Sequence, residues 1–522
     1  MKKINIKISI TALFLLGVVG IVNINCSDDV LNQTNPNKLS PDTFWQTEGD
    51  AEKGVIGAYS PFTHIWYYTR FEIFASDYRD DLINGFNTSE RTAAGYFSAT
   101  SDSNAARWVW QAMYQGVARA NEVLRHVPEI EMDASYRDNI VGEAYFIRAF
   151  NYFNLLNSWR NIPLITVPSA EVDLFTVVQA APEEVWAQIE SDLQMAKSML
   201  PASWSSDQLG RATSGAAAGY LGKAYLYQGK WAEAKAEFQS VMTSGTYQLM
   251  DDYAHNFTEE FENNAESLWE IQLVADGLTG WGADAPNRGK GAGYQPDLAP
   301  KGYTNQNGMR INDWALNLFL DEQTINGEID PRAYTTLFWD TDETTDYEGK
   351  TLASRTYENA TYDEAYPAGD GNIYANKFLD WEFNGHAHSQ DQGGWHGAGN
   401  NLRLLRYADV LLMFAEAEFN LNGSTSAALD AINQVRARAD MPAHASITMQ
   451  DIEDERIKEL SFERSRYFDL LRWGRVKSRI VDNPDLKSES AGTAAYKPGR
   501  EYIAIPQNDV DRNPNLNQNP GY

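Results

Sequence analysis

Leu221-Gly222-Lys223-Ala224-Tyr225, then Gly229, then Ala234 and Phe238, is the stretch from which the fold can be read. It matches the pattern L-G-x2-Y…A-x3-F of paired-helix repeats, with Gly229 in the turn between the two helices. Small residues let two helices approach closely, and large ones fill the groove between them. The register returns downstream: Phe419, Gly423, Ala428 and Ile432 repeat the order of large ring, turn glycine, small residue and large apolar residue. Working outward, Ser40-Pro41-Asp42 predicts the start of a helix that carries Phe44, Ala51, Val55, Ala58 and Tyr59 at helical spacing. Further helices are predicted near 107–127 and 136–159, with aromatic residues at helical period. Pro163 and Pro168 interrupt the pattern, Pro182-Glu183-Glu184 restarts it and Pro201 stops it.

The reading is an all-α fold with about four tetratricopeptide-like (TPR-like) helix pairs: near 42–60 with 107–127, 136–159 with 183–200, 212–228 with 230–244, and 403–422 with 425–439. Between Leu273 and Asn401 the composition changes to glycine, proline, aspartate and aromatics, as in Gly280-Trp281-Gly282 and Gly393-Gly394-Trp395. Long irregular segments in a compact protein carry function or are disordered, and the density of Trp and Tyr argues for ordered loops. Residues 26–272 and 402–522 therefore read as helical scaffold, and 273–401 as a loop-rich insert. That insert and the loop Thr63–Ala106 are the expected working surface.

The balance of charge narrows the function. In 522 residues, 43 Lys and Arg stand against 72 Asp and Glu, a net −29. So acidic a surface repels phosphate backbones, which argues against nucleic-acid binding. The informative excess is aromatic: 15 Trp, 27 Tyr and 22 Phe bring flat apolar faces suited to cores and to binding surfaces.

The first residues read as an export signal. Lys2, Lys3 and Lys7 precede an uncharged run from Ile8 to Val22, too short to span a membrane and suited to a signal peptide over 1–25. Cys26 follows and is the chain's sole cysteine, so no internal disulfide can form. Its position predicts a lipidated mature N-terminus, although Asn25 stands where Gly or Ala is usual before such a cysteine. Because one acyl chain anchors weakly, stable attachment requires further chains.

Catalytic motifs are absent from this reading. Glycoside hydrolysis requires two carboxylates facing each other across a sugar, and spacing singles out no pair among 72 acids. No G-x-S-x-G occurs, and Gly289-Lys290 lacks the upstream glycine and the Ser/Thr of a phosphate loop. His386, His388 and His396 allow a metal site on spacing alone, but a hydrogen-bonding loop is the preferred reading. Asp340, Asp342, Thr344 and Asp346 imitate a calcium loop, with Thr345 where the turn glycine belongs. No metal and no cofactor are expected.

Several further motifs stand out: Asn401-Leu402-Arg403-Leu404-Leu405-Arg406-Tyr407-Ala408-Asp409, Ala415-Glu416-Ala417, Val435-Arg436-Ala437-Arg438, Arg466-Tyr467-Phe468-Asp469-Leu470-Leu471-Arg472-Trp473-Gly474, and the tail from Ile505 to Tyr522. Together they resemble the SusD/RagB family of cell-surface glycan-binding lipoproteins, which partner TonB-dependent transporters. Asn121, Arg148-Ala149-Phe150 and Arg211-Ala212-Thr213 extend the likeness toward the N-terminus, so that it spans 26–522. The resemblance implies capture of a polysaccharide or oligosaccharide without catalysis, and delivery to a SusC-like transporter beneath. Asp28 and Asp29 after the cysteine resemble the signal for the outer face of the outer membrane. The alternatives are a surface-anchored glycoside hydrolase and a peptide-binding relative of the same fold.

Sugar rings lie with their CH faces on aromatic rings and pair their hydroxyl rims with polar side chains. The family places contacts in the loop of the first helix pair and in the insert ahead of the helix at Asp313–Leu320. Here those neighbourhoods supply Trp66, Tyr67, Tyr68, Asp77 and Phe86, then Trp281, Tyr294, Met309 and Arg310; Trp395, later in the insert, completes the candidate glycan-binding set. The core is the competing place for each of these rings.

Overall fold

The computed structural model describes residues 44–85, 89–274, 291–293, 298, 309–339, 346–347, 350–351, 372–379, 399–483, 486 and 496–522. The chain falls into two units, Met1–Gln46 and Thr47–Tyr522. In the first, the rings of Phe44 and Trp45 meet edge to face at 4.8 Å.

The second unit opens with helix α1 (Glu48–Tyr59), which carries the expected Ala51, Val55, Ala58 and Tyr59; Ser40-Pro41-Asp42 lies outside the described residues. Thr47 is the cap: its hydroxyl accepts the Asp50 N–H at 3.3 Å, while the Asp50 carboxylate accepts the Thr47 N–H at 3.0 Å. This reciprocal box satisfies two backbone donors that an uncapped helix start would leave open. Ala51, Val55 and Ala58 then face inward with no exposed surface. Next come α2 (Ser89–Gly95), α3 (Asn104–His126), α4 (Ala134–Trp159), α5 (Pro182–Met199), α6 (Ser214–Tyr227) and α7 (Trp231–Met242). Helix α1 packs on α3, α3 on α4, α4 on α5, α5 on α6 and α6 on α7.

Close approach explains the repeat motif. A Cβ on Gly222 of α6 would lie 2.5 Å from the Phe238 ring of α7, so the ring occupies the space that the glycine leaves. Gly229 has φ +71, the left-handed conformation that the turn needs and glycine adopts cheaply. Gly423, at φ +77, does the same in the turn of the downstream pair.

After the insert, α10 (Tyr407–Asn422) pairs with α11 (Ser426–Arg438) and also packs on α7, so the fourth pair continues the third. Its expected first residues are strand instead. Leu402–Arg406 hydrogen-bonds antiparallel with Ser267–Ile271, because the extended backbone there finds a partner edge and buries Leu402 and Leu405. The segment between those strands therefore leaves and re-enters the scaffold at adjacent points.

In chain order the strands are β1 (Ile83–Gly85), β2 (Ser267–Ile271), β3 (Arg310–Ile311), β4 (Leu337–Phe338), β5 (Asp346–Tyr347), β6 (Lys350–Thr351), β7 (Ile373–Ala375) and β8 (Leu402–Arg406). An antiparallel sheet ordered β1-β3-β7-β4 stitches the first-pair loop to the insert, an element that the helical periodicity did not foreshadow. The helices α8 (Asp313–Leu320) and α9 (Arg332–Thr336) lie in the insert. The helices α12 (Met449–Leu460), α13 (Arg466–Arg472) and α14 (Gln507–Arg512) follow α11. Among the described residues, no helix is long and apolar enough to cross a membrane.

The family motifs turn out to be structural. Arg406 is buried against Glu266, Glu459 and Glu463, with Glu463 at 2.7 Å and Glu459 at 3.0 Å. Arg438 joins Glu266 and Glu459, and Arg332 joins Asp330, Glu455 and Glu459. Arg456 bridges Asp409 and Asp469 at 2.8 Å each, and Arg472 bridges Glu416 and Asp469. These chains tie β8, α10, α11, α12 and α13 together by charge.

Candidate functional site

The loop after α1 sorts its aromatics by direction. A 3-10 turn at Ser60–Thr63, with Pro61 at its start, drops Phe62 into the core. There Phe62 meets Tyr67 at 5.6 Å and, edge to face, Phe150 and Trp269 at 5.4 Å. Tyr67 and Tyr68 follow it inward. Tyr67 has no exposed surface and donates its hydroxyl to Asn151 Oδ1 at 3.1 Å. Burial pushes both phenols well above their ordinary range. The expectation that they face a sugar is thus corrected: each ring is worth more to the core than to solvent.

Asp77 is also interior. Its Oδ1 accepts the Arg464 N–H at 3.0 Å, and burial pushes its carboxyl up to about 6 against the opposing pull of Arg464. It fastens the loop to the C-terminal region and has no face left for ligand. Met309 is buried as well, whereas Arg310 on β3 is exposed. Cys26, Phe86, Trp281, Tyr294, Trp395 and the histidines at 386, 388 and 396 lie outside the described residues.

Trp66 remains, and it has a partner that the sequence reading missed. Its indole lies parallel to that of Trp108 on α3, with centroids 5.8 Å apart and planes 4° from coplanar. Both are half-buried. The Trp66 N–H of the backbone donates to His64 Nδ1 at 3.1 Å, and the His64 ring stands 4.8 Å from the indole. Phe71 braces Trp108 from the side at 4.9 Å. The result is a rigid step of two flat rings with a histidine at its rim. Such a step matches the apolar face of a sugar, because its geometry is paid for by the fold before any ligand arrives. Trp108 belongs to a helix already expected, and the signal that could have found it is its place one turn from the buried Ala112.

A second concavity was not legible at all. A groove of about 420 Å³ runs between α3, the loop 163–177 and α14, walled by Trp110, Tyr114, Ile165, Phe175 and Leu516. Phe175 is 58% exposed and Val178 65%, so an apolar ridge borders it. Asn513 and Asn515 hold that loop by donating to the carbonyls of Val177 and Thr176 at 2.8 and 2.7 Å.

A model described as the SusD family matches residues 265–522, and one described as starch-binding, associating with outer membrane, matches 29–226. A SusD-like protein of Formosa agariphila is 24% identical, with 92% of each chain aligned. A solved SusD superfamily protein of Bacteroides vulgatus superposes with a TM-score of 0.77 at 24% identity, covering 92% of this chain and all of that one. A solved structure described as a laminarin-binding SusD-like protein gives 0.70 at 27% identity, covering 91% of this chain and all of the other.

Proposed function

The chain belongs to the SusD family, and from that premise we propose that it is a non-catalytic glycan-binding lipoprotein that captures oligosaccharide and passes it to a TonB-dependent transporter. The observation that carries the reading is the parallel Trp66–Trp108 step, half-open beside the loop where capture was expected. The similarity to a laminarin-binding protein supports a glycan ligand and makes laminarin oligosaccharides the first to try. Calorimetry on Trp66→Ala should show a loss of affinity on the order of 1–3 kcal/mol, the range for removing a hot-spot ring. Melting should change far less, since Trp66 is half-exposed. Unchanged affinity in a folded variant would remove the step from the site.

Anchoring and delivery rest on Cys26 and on the apolar ridge at Phe175 and Val178, since exposed apolar patches of this kind commonly mark protein contacts. Acyl labelling should follow Cys26, and the wild type should co-purify from mild detergent with a TonB-dependent protein. A Cys26→Ala variant that is still acylated, or a wild type recovered only as a free monomer after crosslinking, would defeat this part.

A further inference from the structure

At the far end of α4 the chain makes an unusual turn. Arg160 has φ +62 and ψ −61, and the Asn161 N–H donates back to the Trp159 carbonyl at 2.7 Å. That is a γ-turn of the positive-φ kind, rare and strained for a residue with a side chain. The surroundings over-determine it: the Trp159 indole donates to the Ala504 carbonyl at 3.0 Å, and Asn519 donates to the Trp159 carbonyl at 2.7 Å. Strain held in this way at a surface arginine asks for a use.

The turn swings Arg160 over a concavity of about 240 Å³ lined by Asn157, Trp186, Tyr227, Arg472 and Tyr502, among others. A concavity of this volume has room for one sugar ring. In a protein carrying −29, none of its lining residues among those described is a carboxylate. Arg472, in its floor, is satisfied by Glu416 and Asp469. Arg160 differs: among the described residues it pairs with no acid and makes one side-chain hydrogen bond, to the Tyr502 hydroxyl at 3.1 Å.

The rest of the wall is equipped for a ring with hydroxyls. Burial holds Tyr227 as a neutral phenol, and among the described residues its O–H has no hydrogen-bond partner. Asn157 donates its amide to the Phe153 carbonyl at 2.7 Å, which leaves its Oδ1 as an acceptor. Trp186, braced by Phe153 at 5.7 Å, lines the wall, and the Arg160 guanidinium stands over the Tyr502 ring, 5.4 Å from its centroid. A guanidinium without an acid, beside aromatic faces and open hydroxyl partners, recognises a carboxylate borne on a pyranose.

We propose that this pocket between the end of α4 and the start of α5 is a second saccharide site, selective for a uronic-acid residue, with Arg160 taking the carboxylate. It shares no lining residue with the Trp66–Trp108 step and does not depend on that reading. The probes are glucuronate, glucose as the uncharged ring, and acetate as the anion without a ring, each titrated by ligand-observed NMR at low salt. Glucuronate should bind the wild type and Trp66→Ala alike, and more tightly than glucose or acetate. Arg160→Ala should weaken it about tenfold or more, as for a lost charge-assisted hydrogen bond. Arg160→Gly keeps the fold testable: it relieves the positive φ, so it should melt at or above the wild-type temperature and still lose glucuronate. Absent glucuronate binding, equal binding of glucose or acetate, or undiminished binding by folded Arg160→Gly would each overturn the proposal.

Discussion

Arg406→Met should destabilise the folded protein by about 3–5 kcal/mol, the cost of removing one partner from a buried ionic cluster. Three carboxylates, Glu266, Glu459 and Glu463, converge on this one guanidinium, whose side chain is 1% exposed. Methionine fills part of the volume but leaves the acids facing each other with Arg438, Arg332 and Lys377 as their remaining cations. The effect should depend on pH, and its sign follows from Glu459. Burial alone would raise that carboxyl, but Arg438, Arg406 and Arg332 outweigh it and hold it well below the ordinary carboxylate range. A depressed folded-state value means that the unfolded chain takes up the proton first, so stability is present above about pH 4.5 and lost as pH falls below it. In the variant Glu459 is less depressed and this acid loss shrinks. Urea melts at pH 7 and pH 4 should therefore show the gap between wild type and variant narrowing at pH 4. An equal gap at both values would mean that Arg406 acts through packing alone.

Trp269→Ala should cost a similar amount, about 3–5 kcal/mol, by a different mechanism: a large cavity in the main aromatic core. Trp269 sits on β2 and meets Phe150 at 4.8 Å, Phe146 at 4.9 Å and Phe62 at 5.4 Å, all edge to face. Its indole N–H donates to the Gly210 carbonyl at 3.2 Å, so the change also removes a hydrogen bond. The ring pins the base of the insert to α4 and, through Tyr220, to α6. Denaturant midpoints should fall sharply, while glycan affinity per folded molecule persists. This is the reverse of the pattern expected for Trp66→Ala, and running the two together separates core rings from site rings. A Trp269→Ala protein that melts like the wild type would show that the core closes over the gap.

Local pattern carried much of the architecture. Gly222, Phe238, Gly423 and Ile432 announced two helix pairs because each pair must bury a stripe of apolar residues at helical spacing, and a turn between helices demands a particular backbone conformation. Those are short-range requirements, readable within a few residues. The capping box of Thr47 and Asp50 is equally local, set by residues three apart. The strand at Leu402–Arg406 was not readable from its own residues, since its partner edge lies more than a hundred residues earlier in β2.

The site divides along the same line. Composition marked the loop after α1 as aromatic, but Trp66, Tyr67 and Tyr68 are adjacent and chemically alike. Only the packing of Phe62, Phe150 and Trp269 decided that the tyrosines turn inward while Trp66 lies against Trp108. The same holds for charge. The sequence by itself determined a strongly acidic chain of paired helices; the tertiary structure decided that Arg406 is walled in by three acids and that Arg160, among the described residues, meets none. Helical periodicity is set by neighbours along the chain, whereas which side chain faces solvent and which charge finds a partner depends on segments brought together from far apart.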